Sequence, residues 1–365
     1  MNGRVRPMLH VVGTRPNFVK AAPVVAALRS AGCEQVLVHT GQHYDERMSD
    51  VFFRQLGLPR PDTDLGVGSG SHARQTADLL TALEGELTAR DPALVVVYGD
   101  VNSTLAAALA AAKLGMPVAH VEAGLRSFDM TMPEEVNRRL VDQLAELLFA
   151  TSPEAVGHLA REGVDPGRVH LVGNPMIDTL LTHLDHFDPE AARAAHGLPA
   201  RYGVVTLHRP ANVDDPEAAR AAAHALVEAA RLLDLAVPLH PRGRAALGSA
   251  GLDHAPGVHV LDPLGYVEFM SLVRGAAAVI TDSGGVQEET TVLGVPCLTL
   301  RTSTERPVTV THGTNRLIGP DELVPTLRKL LDGDFTAPDE GPPLWDGRAG
   351  ARIAAEIVRR LEHDA

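Results

Sequence analysis

The chain has 365 residues, 45% hydrophobic and 22% charged, with a formal net charge of −13 at pH 7. That length exceeds one typical core and predicts two domains of about 150–200 residues. The acidic balance speaks against nucleic acid as the main partner, and no apolar run approaches the ~20 residues of a membrane span.

The N-terminal residues Met1–Pro7 lead straight into an apolar run, so no signal peptide is expected and the location predicted is cytoplasmic. The first series of predicted strands is Met8–Val12, Gln35–His39, Leu94–Tyr98, Val118–Val121 and Leu147–Ala150, with helical patterns between them. The glycine-rich Gly66-Val-Gly-Ser-Gly lacks a strand before it and a helix after it, so it reads as a mobile loop and not a dinucleotide fingerprint. Residues 173–200, with Val172-Gly-Asn-Pro and His186-Phe-Asp-Pro, read as a hinge. A second series follows at Gly203–Leu207, Val237–His240, Val258–Leu261, Ala277–Ile280 and Cys297–Leu300. Strands spaced by helices of 10–20 residues imply parallel sheets built from βαβ units. The reading is therefore an α/β chain of two doubly wound Rossmann-like domains, residues 1–175 and 176–350. A last helix, within 351–365, is expected to pack back on the first domain. Cys33 and Cys297 sit in apolar contexts and read as core thiols, which fits a reducing compartment and argues against disulfides or zinc.

In such sheets ligands bind beyond the carboxyl ends of the strands, and the unusual polar residues fall there. The first-domain ends read Gly13-Thr-Arg-Pro, Thr40-Gly-Gln-His, Gly99-Asp100 and Glu122-Ala-Gly-Leu-Arg; those of the second read His208-Arg209, His240-Pro-Arg242 and Asp282-Ser283. Two rows of strand ends across a hinge predict a cleft. Ser283-Gly284-Gly285 makes a tight turn before a helix, a seat for phosphate at free N–H groups and the positive helix end. Glu288 and Glu289 lie further along, suited to sugar hydroxyls. Glu122, directly after an apolar strand, is expected to be partly desolvated, which raises a carboxyl pKa and suits proton transfer. Glu134 and Glu135 open a helix, where acids also serve the dipole; Asp100 also suits a helix cap. Lys20 is one of only three lysines beside thirty arginines, at a loop-to-helix position. Several carboxylates and one histidine, without metal-ligand spacing or a cofactor fingerprint, suit acid/base chemistry on a phosphate-bearing ligand with no metal and no cofactor.

Eight segments occur in order: Gly13-Thr-Arg-Pro, Thr40-Gly-Gln-His, Gly99-Asp100, His120-Val-Glu-Ala-Gly-Leu-Arg, Pro133-Glu-Glu-Val-Asn-Arg, Thr206-Leu-His-Arg, Thr281-Asp-Ser-Gly-Gly-Val-Gln-Glu-Glu and Thr304-Glu-Arg-Pro. Over essentially its whole length the chain resembles the non-hydrolysing UDP-N-acetylglucosamine 2-epimerases. The resemblance implies a glycosyltransferase type B arrangement with the active site in the interdomain cleft. It also implies C2 epimerisation by elimination of UDP to 2-acetamidoglucal and re-addition, supplying ManNAc-type sugars for cell-surface polysaccharide. By motif, Asp100, Glu122 and Glu134 become acid/base candidates, and His208 lies at the diphosphate or shares the proton traffic. Arg15, Ser283, Gly284 and Gly285 would hold the diphosphate, Glu289 the ribose, and Lys20 and Arg306 sugar-side or phosphate charge. The family also implies a homodimer and a second UDP-GlcNAc as activator, held by Gln42, His43, Arg74, Glu135, Arg209 and His240. Asp45, where activated members carry Gln, and Ala211, in place of the usual Glu, depart from the pattern. The alternatives are a hydrolysing epimerase releasing ManNAc and UDP, a glycosyltransferase on the same scaffold, a sugar-nucleotide sensor, or an epimerase of a diacetamido sugar.

Overall fold

The computed structural model describes residues 6–41, 53, 55–239, 244, 247–248 and 251–363. The chain divides into two compact units, Met1–Thr182 with Pro343–Ala365 and His183–Pro342. The boundaries thus fall at 182/183 and 342/343 instead of near 175 and 350.

Among the described residues, the first unit holds seven strands: β1 (Met8–Val12), β2 (Gln35–His39), β3 (Thr63–Asp64), β4 (Leu94–Tyr98), β5 (Val118–Ala123), β6 (Leu147–Ala150) and β7 (Val169–Leu171). Their order is β3-β2-β1-β4-β5-β6-β7 and every pairing is parallel, with Met8 opposite both Gln35 and Leu94. Every residue of β1 and β4 is buried, the mark of a sheet covered on both faces. The one polar residue of β1, His10, bonds through Nδ1 to the Tyr98 hydroxyl at 2.7 Å; burial pushes its pKa down to about 4, so the ring is neutral. The helix Asn102–Lys113 buries Ala106, Ala107, Ala108, Ala110 and Ala111. Small side chains let it lie between the helices His72–Arg90 and Pro133–Leu144.

The second unit repeats the plan with β8 (Tyr202–Thr206), β9 (Asp234–Pro238), β10 (Val258–Leu261), β11 (Ala278–Thr281), β12 (Cys297–Leu300) and β13 (Asn315–Ile318). The order is β10-β9-β8-β11-β12-β13, again parallel throughout. In each sheet the order reverses once, between β1 and β4 and between β8 and β11. Those reversals are the topological switch points where doubly wound sheets bind ligands.

The helix Ala349–His363 belongs to the first unit and lies against the helix Arg15–Ser30. The Asp178 carboxylate accepts the N–H groups of Ala349 (3.1 Å) and Gly350 (2.7 Å), so it caps that helix from outside. A Cβ on Gly350 would fall 2.7 Å from the Pro23 carbonyl oxygen, so only glycine admits this approach. Trp345 adds an indole N–H donated to Thr151 O at 2.9 Å.

Differences from the sequence expectation are local. The strand expected at Val237–His240 runs from Asp234 to Pro238, and β3, β7 and β13 went unpredicted. β3 has two polar residues, and β7 is half-buried along its length, so neither carries an apolar run. The Gly66–Gly70 loop, expected to be mobile, is tied down. Val67 N–H donates to Thr40 O (2.9 Å), and Gln75 Nε2 to Gly68 O (3.1 Å). Cys297 is a buried free thiol as expected, but Cys33 is half-buried. No described helix is long and apolar enough to cross a membrane.

Candidate active site

At the first switch point β1 runs into Gly13-Thr14, and the helix that follows opens at Arg15. Asn17 organises this turn. Its Oδ1 accepts Gly13 N–H, Thr14 N–H and the Thr14 hydroxyl, each at 3.1 Å, and its amide donates to Tyr98 O at 2.9 Å. One helical turn later Lys20 is buried against the Glu122 carboxylate, with side-chain exposures of 7% and 4%. Glu122 reaches it because β5 is irregular there. The register with β6 shifts between Val121 and Ala123, and Glu122 takes φ +74°. A bulge of this kind re-aims one side chain at local cost. The expected burial of Glu122 is found, and the Lys20 ammonium shares it.

Below the bulge, His120 Nδ1 lies 2.7 Å from Asp142 Oδ1 and Nε2 lies 2.8 Å from Gly99 O. Arg126, which also pairs with Asp142 (2.7 Å) and Glu162 (2.6 Å), completes the cluster around Asp142. Burial alone would raise the Asp142 pKa, but His120 and Arg126 outweigh it and hold the group below its usual range. The cluster fixes the turn that carries Asp100 and the strand that carries Glu122.

Asp100 does not cap the next helix, whose N-cap is Val101. Its carboxylate, 25% exposed, pairs with Arg138. Glu134 is half-buried in the first turn of the helix Pro133–Leu144. Glu135 is wholly buried. It accepts Ser127 N–H (2.9 Å), Phe128 N–H (3.2 Å), Arg138 Nη2 (2.8 Å) and Arg139 Nε (3.3 Å). Burial pushes its pKa up, and the Ser127 N–H with Arg138 outweighs that push. Both of its oxygens are thus bonded within the protein.

At the second switch point, β8 leads to His208 and β11 to Asp282. Asp282 is completely buried and lies 2.9 Å from His208 Nδ1, while the imidazole side chain is 61% exposed. The expectation that Asp282 merely ends a strand missed this pair. The helix Gly284–Leu293 starts immediately after Ser283, whose side chain makes no cap bond to it. A hydroxyl and the first N–H groups of a helix, at its positive end, therefore sit together with the two glycines. A Cβ on Gly284 would lie 2.3 Å from Arg306 Nη1, so the guanidinium rests directly on that glycine.

Arg306, expected to carry sugar-side or phosphate charge, is buried in a knot of charges. Its Nε lies 2.9 Å from Glu288 and its Nη1 2.5 Å from Glu305; Arg301 (2.7 Å) and Arg209 (3.1 Å) also reach Glu305. Burial would raise the Glu305 pKa, but Arg306, Arg209 and Arg301 hold it well below its usual range. Three guanidinium groups against two glutamates leave the knot cationic beside Ser283–Gly285. Glu289, buried next to Tyr266, has its pKa pushed up to about 8 by burial, with Glu288 adding to the rise and Tyr266 opposing it. It therefore carries a proton at neutral pH.

Arg15 is half-buried at its helix start. Arg74 is exposed and paired with Asp78 at 2.9 Å. Gln42, His43, Asp45 and His240 lie outside the described residues, so the described part brings no activator set together. The sequence reading also missed Asn17, Arg138 and Glu305 as organisers. A buried arginine has no pattern of its own along a chain; an Asp after β11 level with a His after β8 does, once the strand order is known.

The family model for UDP-N-acetylglucosamine 2-epimerase matches residues 26–358. The chain is 39% identical to the UDP-N-acetylglucosamine 2-epimerase of Methanocaldococcus jannaschii, over 94% of this chain and 96% of that one. It is 41% identical to the UDP-2,3-diacetamido-2,3-dideoxy-D-glucuronate 2-epimerase of Pseudomonas aeruginosa, over 96% and 99%. The crystal structure of the M. jannaschii enzyme in complex with UDP-GlcNAc and UDP superposes with a TM-score of 0.90 at 38% identity, covering 98% of this chain and 99% of that one. With the motifs, both switch points and this coverage in agreement, the chain belongs to the UDP-N-acetylglucosamine 2-epimerase family.

Proposed function

We propose that the protein interconverts UDP-N-acetylglucosamine and UDP-N-acetylmannosamine by elimination and re-addition of UDP, without hydrolysis. In the forward direction the C2–H proton leaves to a base, the C1–O bond breaks and its electrons go to the diphosphate. The products held on the protein are 2-acetamidoglucal and UDP. Re-addition re-forms the C1–O bond while a proton arrives at the other face of C2. The observation that carries this reading is the group at the first switch point. Glu122 is turned inward by a bulge and paired with Lys20, with Asp100 and Glu134 on the neighbouring elements. Two of these carboxyl groups serve the two faces of C2. The second unit carries Ser283 and the helix start at Gly284–Gly285 as a seat for the diphosphate, with the Arg306 guanidinium resting on Gly284. The relatives' complexes with UDP-GlcNAc and UDP support a uridine diphosphate sugar as ligand. A protonated Glu289 would offer the ribose both a donor and an acceptor. We place the enzyme in the cytoplasm as a homodimer supplying ManNAc-type sugars for surface polysaccharide.

A time course of UDP-GlcNAc with the enzyme in D₂O, followed by NMR, tests the reading. Deuterium entering C2 together with UDP-ManNAc is the expected result; free ManNAc plus UDP would replace it with hydrolysing chemistry. A second reading, a diacetamido-uronate nucleotide as substrate, is favoured by the 41% identity to the P. aeruginosa enzyme. Exchange with that nucleotide and none with UDP-GlcNAc would select it.

A further inference from the structure

We propose that Asp282 is the positioning residue of His208: its buried carboxylate holds the ring by Nδ1–H and leaves Nε2 as the nitrogen that meets the ligand. The proposal rests on the reading that His208 acts on the sugar nucleotide. Strand register makes the pair. Thr281 lies opposite Thr206 in the β8–β11 ladder, and Asp282 N–H donates to Thr206 O (3.2 Å), so the chain leaves both strands at one level.

Asp282 is completely buried, and its oxygens face four donors. These are His208 N–H (3.1 Å), Arg209 N–H (2.9 Å), Asn212 Nδ2 (3.0 Å) and His208 Nδ1 (2.9 Å). A carboxylate offers about four acceptor positions, so none is left over for a ligand. Burial would raise its pKa, but His208, the Arg209 N–H and Asn212 hold it below the usual range, and it stays an acceptor at neutral pH. An acceptor that cannot donate forces Nδ1 to carry the hydrogen. In the neutral ring Nε2 is then the free lone pair; in the imidazolium it is a donor, with Asp282 compensating the charge. The imidazolium, donating from Nε2, suits a diphosphate whose negative charge grows as the C1–O bond breaks; the neutral ring can only accept a proton there. No covalent step falls to Asp282.

The test uses the full chain with ¹⁵N-labelled histidine, the His208 ring being identified by its loss in H208Q. The wild-type ring is expected in the Nδ1–H form. In D282N that preference is expected to be lost. Turnover should fall by roughly 10²–10⁴ while KM and UDP affinity stay within a few-fold. A wild-type ring in the Nε2–H form overturns the proposal, as does D282N turning over within threefold of wild type. If D282N does not fold, the wild-type tautomer still decides. A wild-type enzyme that exchanges no sugar nucleotide removes the functional reading, and the tautomer then decides separately whether Asp282 holds the ring.

Discussion

At the residue scale the candidate site is a set of buried charges whose partners decide what each can do. Lys20→Met leaves Glu122 buried without its cation. Breaking a buried pair from one side costs about 3–5 kcal/mol, so a chemical denaturation midpoint well below wild type is expected. K20M/E122Q should recover part of that loss. If the single variant is as stable as wild type, Glu122 is not held by Lys20 in solution. Glu289 gives a prediction with a pH sign. Its folded pKa, about 8, lies above the ordinary value of 4.5, so between those pH values the folded state holds a proton the unfolded state has lost. Its contribution to stability is fully present below 4.5 and is lost as pH rises through 8. Glu289→Gln mimics the protonated form, so its Tm relative to wild type should climb from pH 5 to pH 8.5. A difference that is flat with pH would mean the carboxyl is not buried. Asp100, His208 and Ser283 were legible because each follows a strand end, and Glu122 because it is the one carboxylate in the largely apolar β5. The partners Arg138 and Asp282, and Glu305 at the centre of the arginine knot, were not, because pairing depends on which elements lie side by side.

At the element scale, the apolar runs that become β1, β4, β5 and β8 were readable because a strand buried on both faces needs an unbroken apolar stretch. Short edge strands such as β3 carry no such signal. The bulge in β5 was invisible for a different reason. Glutamate is a poor candidate for positive φ, and the Lys20 pair and the anchored His120 support its conformation. The last helix shows an element placed by one side chain. Asp178→Ala removes both bonds to the N–H groups of Ala349 and Gly350, while Asp178 itself has its pKa raised by burial, a cost that partly offsets those bonds. The expected net loss is about 1–2 kcal/mol. Hydrogen exchange should show it as faster opening of residues 349–357 and unchanged protection of β8–β13. Uniform acceleration in both units would contradict a local cap.

At the scale of the whole molecule, an anion must reach a cationic knot inside a chain of net charge −13. The two fields differ in range. Arg306, Arg301 and Arg209 crowd Glu305 within 3.1 Å of it, so their attraction acts close to Ser283–Gly285. The net negative charge of the chain acts at long range. At about 0.01 M ionic strength the screening length is ~30 Å, and an approaching UDP is repelled by the whole molecule; at about 0.15 M it is ~8 Å, and only the knot is felt. Association should therefore speed up as salt rises over that interval, the reverse of ordinary electrostatic steering. Dissociation, governed by partly buried contacts, should change little. Stopped-flow binding of a fluorescent UDP analogue at four ionic strengths measures both rates. An association rate that falls with salt would show that the cationic field reaches beyond the pocket and outweighs the acidic surface during approach.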